Sequence, residues 1–142
     1  MTVLHLGVTD ELTYSHGGKT VVDVAEILED KYHVMQKFFE KYESEIVDLM
    51  GEAITGAFES VMRGAPPPPN PHQSAMEKIQ EYFNTFLDQE QIPSSSSPRI
   101  PTDAALKGTN HRLKHPYRKS NPRRPSFIDT STYEDSFRAW VE

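Results

Sequence analysis

From Val21 to about Met62 the apolar residues Val24, Leu28, Tyr32, Met35, Phe39, Tyr42, Ile46 and Leu49 recur in steps of three or four. That spacing gathers side chains on one face of an α-helix, and it predicts one long amphipathic helix. Asp23, Glu26, Asp30, Lys37, Lys41, Glu45 and Asp48 fall on the outer face, while Ile27, Val34, Phe38 and Val47 widen the apolar side beyond a narrow seam. So broad a stripe calls for more than one packing neighbour. Thr20 and Asp23 have the spacing of a capping box and mark the helix start. Gly51 and Gly56 each weaken a helix interior by about 1 kcal/mol relative to Ala, so a kink or break is expected near 51–56. Ala53, Ile54, Ala57, Phe58, Val61 and Met62 nonetheless carry the pattern on.

Gly64 and Pro66 to Pro69 end this helix in a stiff extended spacer, because proline fixes φ and lacks an amide donor. Ser74 and Glu77 then form a second capping box. Met76, Ile79, Phe83, Phe86 and Leu87 describe a helix of about four turns, stopped by Pro93. Ahead of the long helix, the β-branched and aromatic residues of 2–16 read as two short strands, a hairpin around Thr9 and Asp10, with Gly17 and Gly18 breaking the chain after them. Residues 93–126 hold a serine run, six prolines and no apolar periodicity. Fully extended, that arm would reach roughly 110 Å. Aromatic and apolar residues return after Pro125, and predict a helical turn near 131–136, capped by Ser131 with Glu134, followed by a strand from Phe137 to Val141. The expected fold is α+β: a long and a second helix with few short strands at both termini. Residues 1–92 would form the helical core with its N-terminal strands, 93–126 a basic arm, and 127–142 a turn and strand packing on the core or on a neighbour.

Charge sharpens this division. The 142 residues carry a net charge of −6, but residues 1–98 hold sixteen acidic and six basic side chains, whereas 99–142 hold five acidic and nine basic. Within 107–124 lie seven Lys or Arg and no acid, and all eleven prolines lie at or after Pro66. With no cysteine, a disulfide framework, a thiolate zinc site and a cysteine nucleophile are excluded. No stretch approaches the roughly 20 apolar residues of a membrane span, and no export signal is legible at the start.

Candidate chemistry is sparse. Gly18, Lys19 and Thr20 have the ending of a phosphate-binding loop, but Thr13 stands where its first glycine belongs, and a glycine turn feeding a capped helix explains them. His111 and His115 are four apart, but Pro116 and flanking cations oppose a metal there. Asp30, Tyr32 and His33 lie close in sequence, yet adjacent helical positions diverge by about 100°. No catalytic, cofactor or metal residue is expected, and an enzyme is not.

The basic residues Lys107, Arg112, Lys114, Arg118, Lys119, Arg123 and Arg124, with Tyr117 among them, admit two readings. They have the composition of a nucleic-acid-contacting arm, which would make the chain a small DNA-binding or regulatory protein. They equally suit docking on an acidic protein surface, such as the helix of a neighbouring copy. Protein docking is favoured, with Phe38, Phe39, Tyr42 and Trp140 as expected assembly contacts alongside the turn from Ile46 to Leu49.

Two segments carry a resemblance. Val21 to Glu40 resembles the leading helix of small structural proteins of tailed bacteriophages. Pro125-Ser-Phe-Ile-Asp-Thr-Ser-Thr-Tyr-Glu-Asp-Ser-Phe-Arg-Ala-Trp-Val is similar to a segment of neck and tail-completion proteins that runs Pro, two apolar residues, Asp-Thr-Gly, then Ser and an apolar residue. The likeness covers about 38 of the 142 residues. Ser131 replaces the family's glycine, a departure that bears on a left-handed turn there. The resemblance implies a non-enzymatic virion protein, made in the host cytoplasm, that forms a homo-oligomeric ring in the neck or tail. Its partners would be neck, portal or tail proteins, with genomic DNA passing through a lumen without sequence-specific binding. An acidic helix face would suit that lumen, since like charge keeps phosphates from sticking. The implied sheet is smaller than the family's or is completed by another subunit.

Overall fold

Leu4, Leu6 and Val8 alternate with His5 and Gly7, the period of a strand with one covered face. In a computed structural model describing residues 3–9, 20–91, 102–109, 113–115, 117–126 and 132–142, these residues form β1 (Leu4–Val8). The partner of β1 comes from the far end of the chain. Leu4 pairs with Val141 and Val8 with Phe137 in an antiparallel ladder, which Val3 and Glu142 extend by exchanging backbone hydrogen bonds at 2.9 and 3.0 Å. Among the described residues β1 thus pairs with the other terminal strand; the second strand of the expected hairpin and the Gly17-Gly18 break lie outside the described residues.

Helix α1 (Val21–Tyr32) begins as its sequence predicts. The Thr20 hydroxyl accepts from the Asp23 amide at 3.2 Å, and the Asp23 carboxylate accepts from the Thr20 amide at 3.0 Å. The long helix is interrupted early, at His33, which adopts the left-handed conformation (φ 53°, ψ 47°). Glu29 sustains the break: its carboxylate accepts from the amides of Met35 at 2.8 Å and Gln36 at 3.2 Å, donors otherwise orphaned at the start of a helix. Helix α2 (Val34–Met62) then runs for 29 residues, about 43 Å, straight through Gly51 and Gly56. A glycine raises the cost of a helix but removes no hydrogen bond, so the break expected at 51–56 does not occur.

Helix α3 (Gln73–Asp88) buries Ala75, Ile79, Phe83, Phe86 and Leu87. Ser74 lies inside its first turn, so the Ser74–Glu77 capping box does not form. Gln73 instead donates to Glu77 at 3.2 Å. The helix ends at Asp88, ahead of Pro93, which lies outside the described residues. A short α4 (Asp103–Leu106) and α5 (Thr132–Ser136) precede β2 (Phe137–Val141). The expected turn and strand at 131–141 are thus present, with Ser131 outside the described residues.

The fold is α+β, with the terminal sheet laid across the α2–α3 pair. Aromatic rings join the layers. Phe83 of α3 stacks on Phe137 of β2 at 4.1 Å and meets Phe38 of α2 edge-on at 5.2 Å. Gln80 donates to the Phe137 carbonyl at 3.0 Å and ties the outer edge of β2 to α3. No helix among the described residues is long and apolar enough to cross a membrane.

Candidate assembly surfaces

The expected assembly residues divide once placed. Phe38 has 0% exposure and Ile46 2%; both are core residues of their own protomer and cannot meet a partner. Val34, Phe38 and Ile46 are the buried residues of α2, while Phe39, about 100° around the helix from Phe38, sits at the core's edge at 39% exposure. Tyr42 is half-buried. Its ring stacks on Tyr82 at 5.1 Å and its hydroxyl donates to Gln91, and burial lifts its pKa above the ordinary tyrosine value. Trp140, 40% exposed, stacks on His5 with ring centres 5.2 Å apart. It lies flat over Gly7, where a Cβ would come within 3.3 Å of the indole.

The basic residues divide as well. Arg124 is only 9% exposed. Its guanidinium donates to the carbonyls of Thr109 and Pro125, and its amide donates to Ala105 at 3.2 Å. Arg123 pairs with Glu90. Lys107, Lys114, Arg118 and Lys119 are exposed, and Arg112 lies outside the described residues. Lys114, His115, Tyr117 and Arg118 line an open concavity of about 480 Å³.

The described part of 93–126 is consequently no extended arm. α4 turns at Gly108 (φ 72°), and residues 121–126 come back against it. Glu90, itself left-handed at φ 47°, accepts from the Ser126 amide at 2.9 Å and from its hydroxyl at 3.2 Å. The Ser126 hydroxyl oxygen in turn accepts from the Thr102 amide at 3.1 Å. One carboxylate at the end of α3 therefore holds the returning segment. Glu90→Ala should orphan the Ser126 amide and cost about 1–3 kcal/mol, read as faster proteolysis between 107 and 126. Unchanged cleavage would show that the carboxylate does not hold the segment.

Asp30, Tyr32 and His33 do not converge: Asp30 and His33 are exposed, while Tyr32 packs against the core. Thr20 is engaged in its helix cap. Among the described residues no group of three His, Asp or Glu gathers in metal-binding geometry.

An exposed apolar row runs along α2. Val47, Ile54, Phe58 and Val61 are spaced by seven, four and three residues, one face of the helix, and Met62 extends the row. Phe58 is 65% exposed and Met62 71%. At its near end Val47 and Met50 join Leu4, Leu6, Phe39 and Ile46 around an open groove of about 510 Å³. Glu45, Asp48, Glu52 and Glu59, all exposed, form a separate row about 140° around the helix from it, with Glu52 on the α3 side. By spacing alone Ile54, Phe58, Val61 and Met62 continue the core stripe. Helix length was the available signal, since α3 has 16 residues with which to cover the 29 of α2.

Comparison with known proteins gives no significant match to a family model, a curated protein or a solved structure.

Proposed function

We propose that the chain is a structural protein that works by assembling: a virion component of a tailed phage, forming an oligomeric ring in the neck or tail-completion region that joins head to tail and lets DNA pass. The observation that carries this reading is the apolar row of α2, standing off the core over its last turns. Folded monomers rarely leave a long contiguous apolar surface in water, and such surfaces mark interfaces. The likeness of 21–40 and 125–141 to phage neck and tail-completion proteins supports a place in the neck or tail. The acidic balance of residues 1–98 suits a channel from which phosphates slide.

Deletion of the gene in the phage that encodes it should give filled heads and finished tails that do not join, with joining restored by the chain supplied in trans. Normal yields of joined, infectious particles would overturn the proposal.

The exposed Lys107, Lys114, Arg118 and Lys119 favour a second reading, a DNA-binding protein. It requires duplex affinity that falls steeply with salt. Arg123 and Arg124 weaken it, because both are spent within the chain.

A further inference from the structure

The terminal sheet has two strands, and hydrogen-bond parity fixes which of its backbone groups are left over. Val3 and Glu142 exchange both backbone hydrogen bonds, and at the other end the Thr9 amide donates to the Ser136 carbonyl at 3.0 Å. Bonded and non-bonded pairs alternate along an antiparallel ladder, so in the register of β1 and β2 the bonded pairs between these ends are His5 with Trp140 and Gly7 with Arg138. The amides and carbonyls of Phe137, Ala139 and Val141 point the other way, to the open edge of β2. Gln80 takes the Phe137 carbonyl. Among the described residues nothing pairs with the amide or carbonyl of Ala139 or Val141. These groups recur at about 6.8 Å and open onto a cleft of about 380 Å³. The other wall of the cleft is the spacer that leads into α3, where Pro69 and Pro71 bring no amide donor to the edge. Met76 and Trp140 also line it. His72, in the spacer wall, buries Nδ1 with no hydrogen-bond partner among the described residues.

We infer that this cleft takes one extended peptide segment of a partner protein, which adds to β2 as a third strand. Only extended backbone offers donors and acceptors in the same repeat as Ala139 and Val141; a helix spends its own internally. The two walls admit a lone strand. The edge of a second copy's sheet would bring its other strand and helices with it, against the spacer. The lining also sets the character of the occupant. Residues that pair with Ala139 and Val141 place their side chains on the face that meets Met76, and are apolar. The residue opposite Trp140 is β-branched or aromatic, a pairing that stabilises neighbouring strands. A peptide group beside His72 supplies the partner that Nδ1 lacks, and an unmet bond in a buried place is costly. The far edge of β1 differs: Leu4 and Leu6 border a groove with Phe39, Val47 and Met50, with no unpaired polar side chain in its lining. The cleft shares no residue with the apolar row of α2, so the inference stands apart from the assembly reading.

Trp140 is the chain's single tryptophan and lines the cleft, so its emission reports occupancy. The probe is the blocked peptide acetyl-Lys-Thr-Val-Thr-Val-Thr-Lys-amide, titrated into the full chain. At about ten times the dissociation constant read from Trp140, amide exchange at Ala139 and Val141 should slow about tenfold. Leu4 and Leu6, whose amides face the far edge of β1, should exchange as before. Methylating the backbone nitrogens of both valines of the probe should abolish the slowing. Ala139→Pro removes an amide that faces the cleft and leaves the ladder to β1 complete. It should weaken the probe at least about tenfold, with the Arg138 and Trp140 amides still protected to show that the sheet is intact. No slowing at Ala139 and Val141 with millimolar probe, equal slowing at Leu4 and Leu6, or undiminished binding of the methylated probe overturns the inference. Protection of Ala139 and Val141 that grows with protein concentration in the absence of probe gives the edge to a second copy, and overturns it as well.

Discussion

Phe83→Ala should cost about 3–5 kcal/mol, the range for a truncated buried aromatic side chain, which removes most of the protein's stability if its total lies near the lower end of the usual window of about 5–15 kcal/mol. Phe83 is fully buried and touches every layer. It stacks on Phe137 of β2 at 4.1 Å, meets Phe38 of α2 at 5.2 Å, and meets Tyr133 of α5 at 5.9 Å. No backbone movement of one element can refill the space without breaking contact with another, so the cavity term applies in full. A two-stranded sheet has marginal stability alone, and the Phe83–Phe137 stack is a principal link between this one and the helices. Urea unfolding followed by both tyrosine fluorescence and amide exchange in β1 should therefore show sheet and helices lost together. Phe83→Leu, which keeps most of the volume, should recover most of the loss. A cost below about 1 kcal/mol for the Ala variant would mean that the core is not organised around this ring.

The second large effect is local. Gly108 holds φ at 72°, and a Cβ there would lie 2.5 Å from the Asn121 carbonyl oxygen and 2.7 Å from that of Pro122. Both obstacles are backbone, so a side chain cannot be accommodated by a rotamer change. Gly108→Ala adds left-handed strain of about 1–3 kcal/mol to this clash, and the expected outcome is release of 117–126 from α4. The Arg124 amide then loses the Ala105 carbonyl, and its guanidinium loses Thr109. Trypsin should cut after Lys107, Arg118, Lys119 and Arg123 at least about tenfold faster, in keeping with a segment that opens independently of the core. The thermal midpoint of the helices should barely move. Gly51→Ala is the control: space around Gly51 is open, and the change should stabilise α2 by about 0.5–1 kcal/mol. Equal trypsin sensitivity of the Gly108 and Gly51 variants would refute the turn as the restraint on the basic segment.

What could be read in advance followed the range of the forces involved. The Thr20 cap, the buried face of α3 and the bounds of β2 rest on neighbours within a few positions, and sequence spacing reports those. The break at His33 depends on Glu29 reaching six and seven residues ahead to the amides of α2, with no glycine or proline to announce it. Of the two rings expected at an assembly surface, Phe38 is buried and Phe39 alone is exposed, a difference that adjacent positions in a broad apolar stripe do not announce. The segment 102–126 escaped for a similar reason: its restraints are Glu90, which is 36 residues from Ser126, and backbone contacts around Gly108 that leave no apolar periodicity. At the candidate surfaces, the exposure of Lys107, Lys114 and Lys119 and the internal use of Arg123 and Arg124 look alike in a charge count. Only the packing separates them.

The pairing of Leu4 with Val141 also sets a timetable for biosynthesis. β1 leaves the ribosome first and finds its partner only when β2 follows, on the order of ten seconds later at ordinary translation rates. Phe38 and Phe83 wait equally for Phe137 to complete their cluster. Until then the helices carry two uncovered apolar faces, and a nascent chain would be a client for a chaperone. Prematurely terminated chains, lacking β2, would stay in that state and be marked for degradation before they could join an assembly.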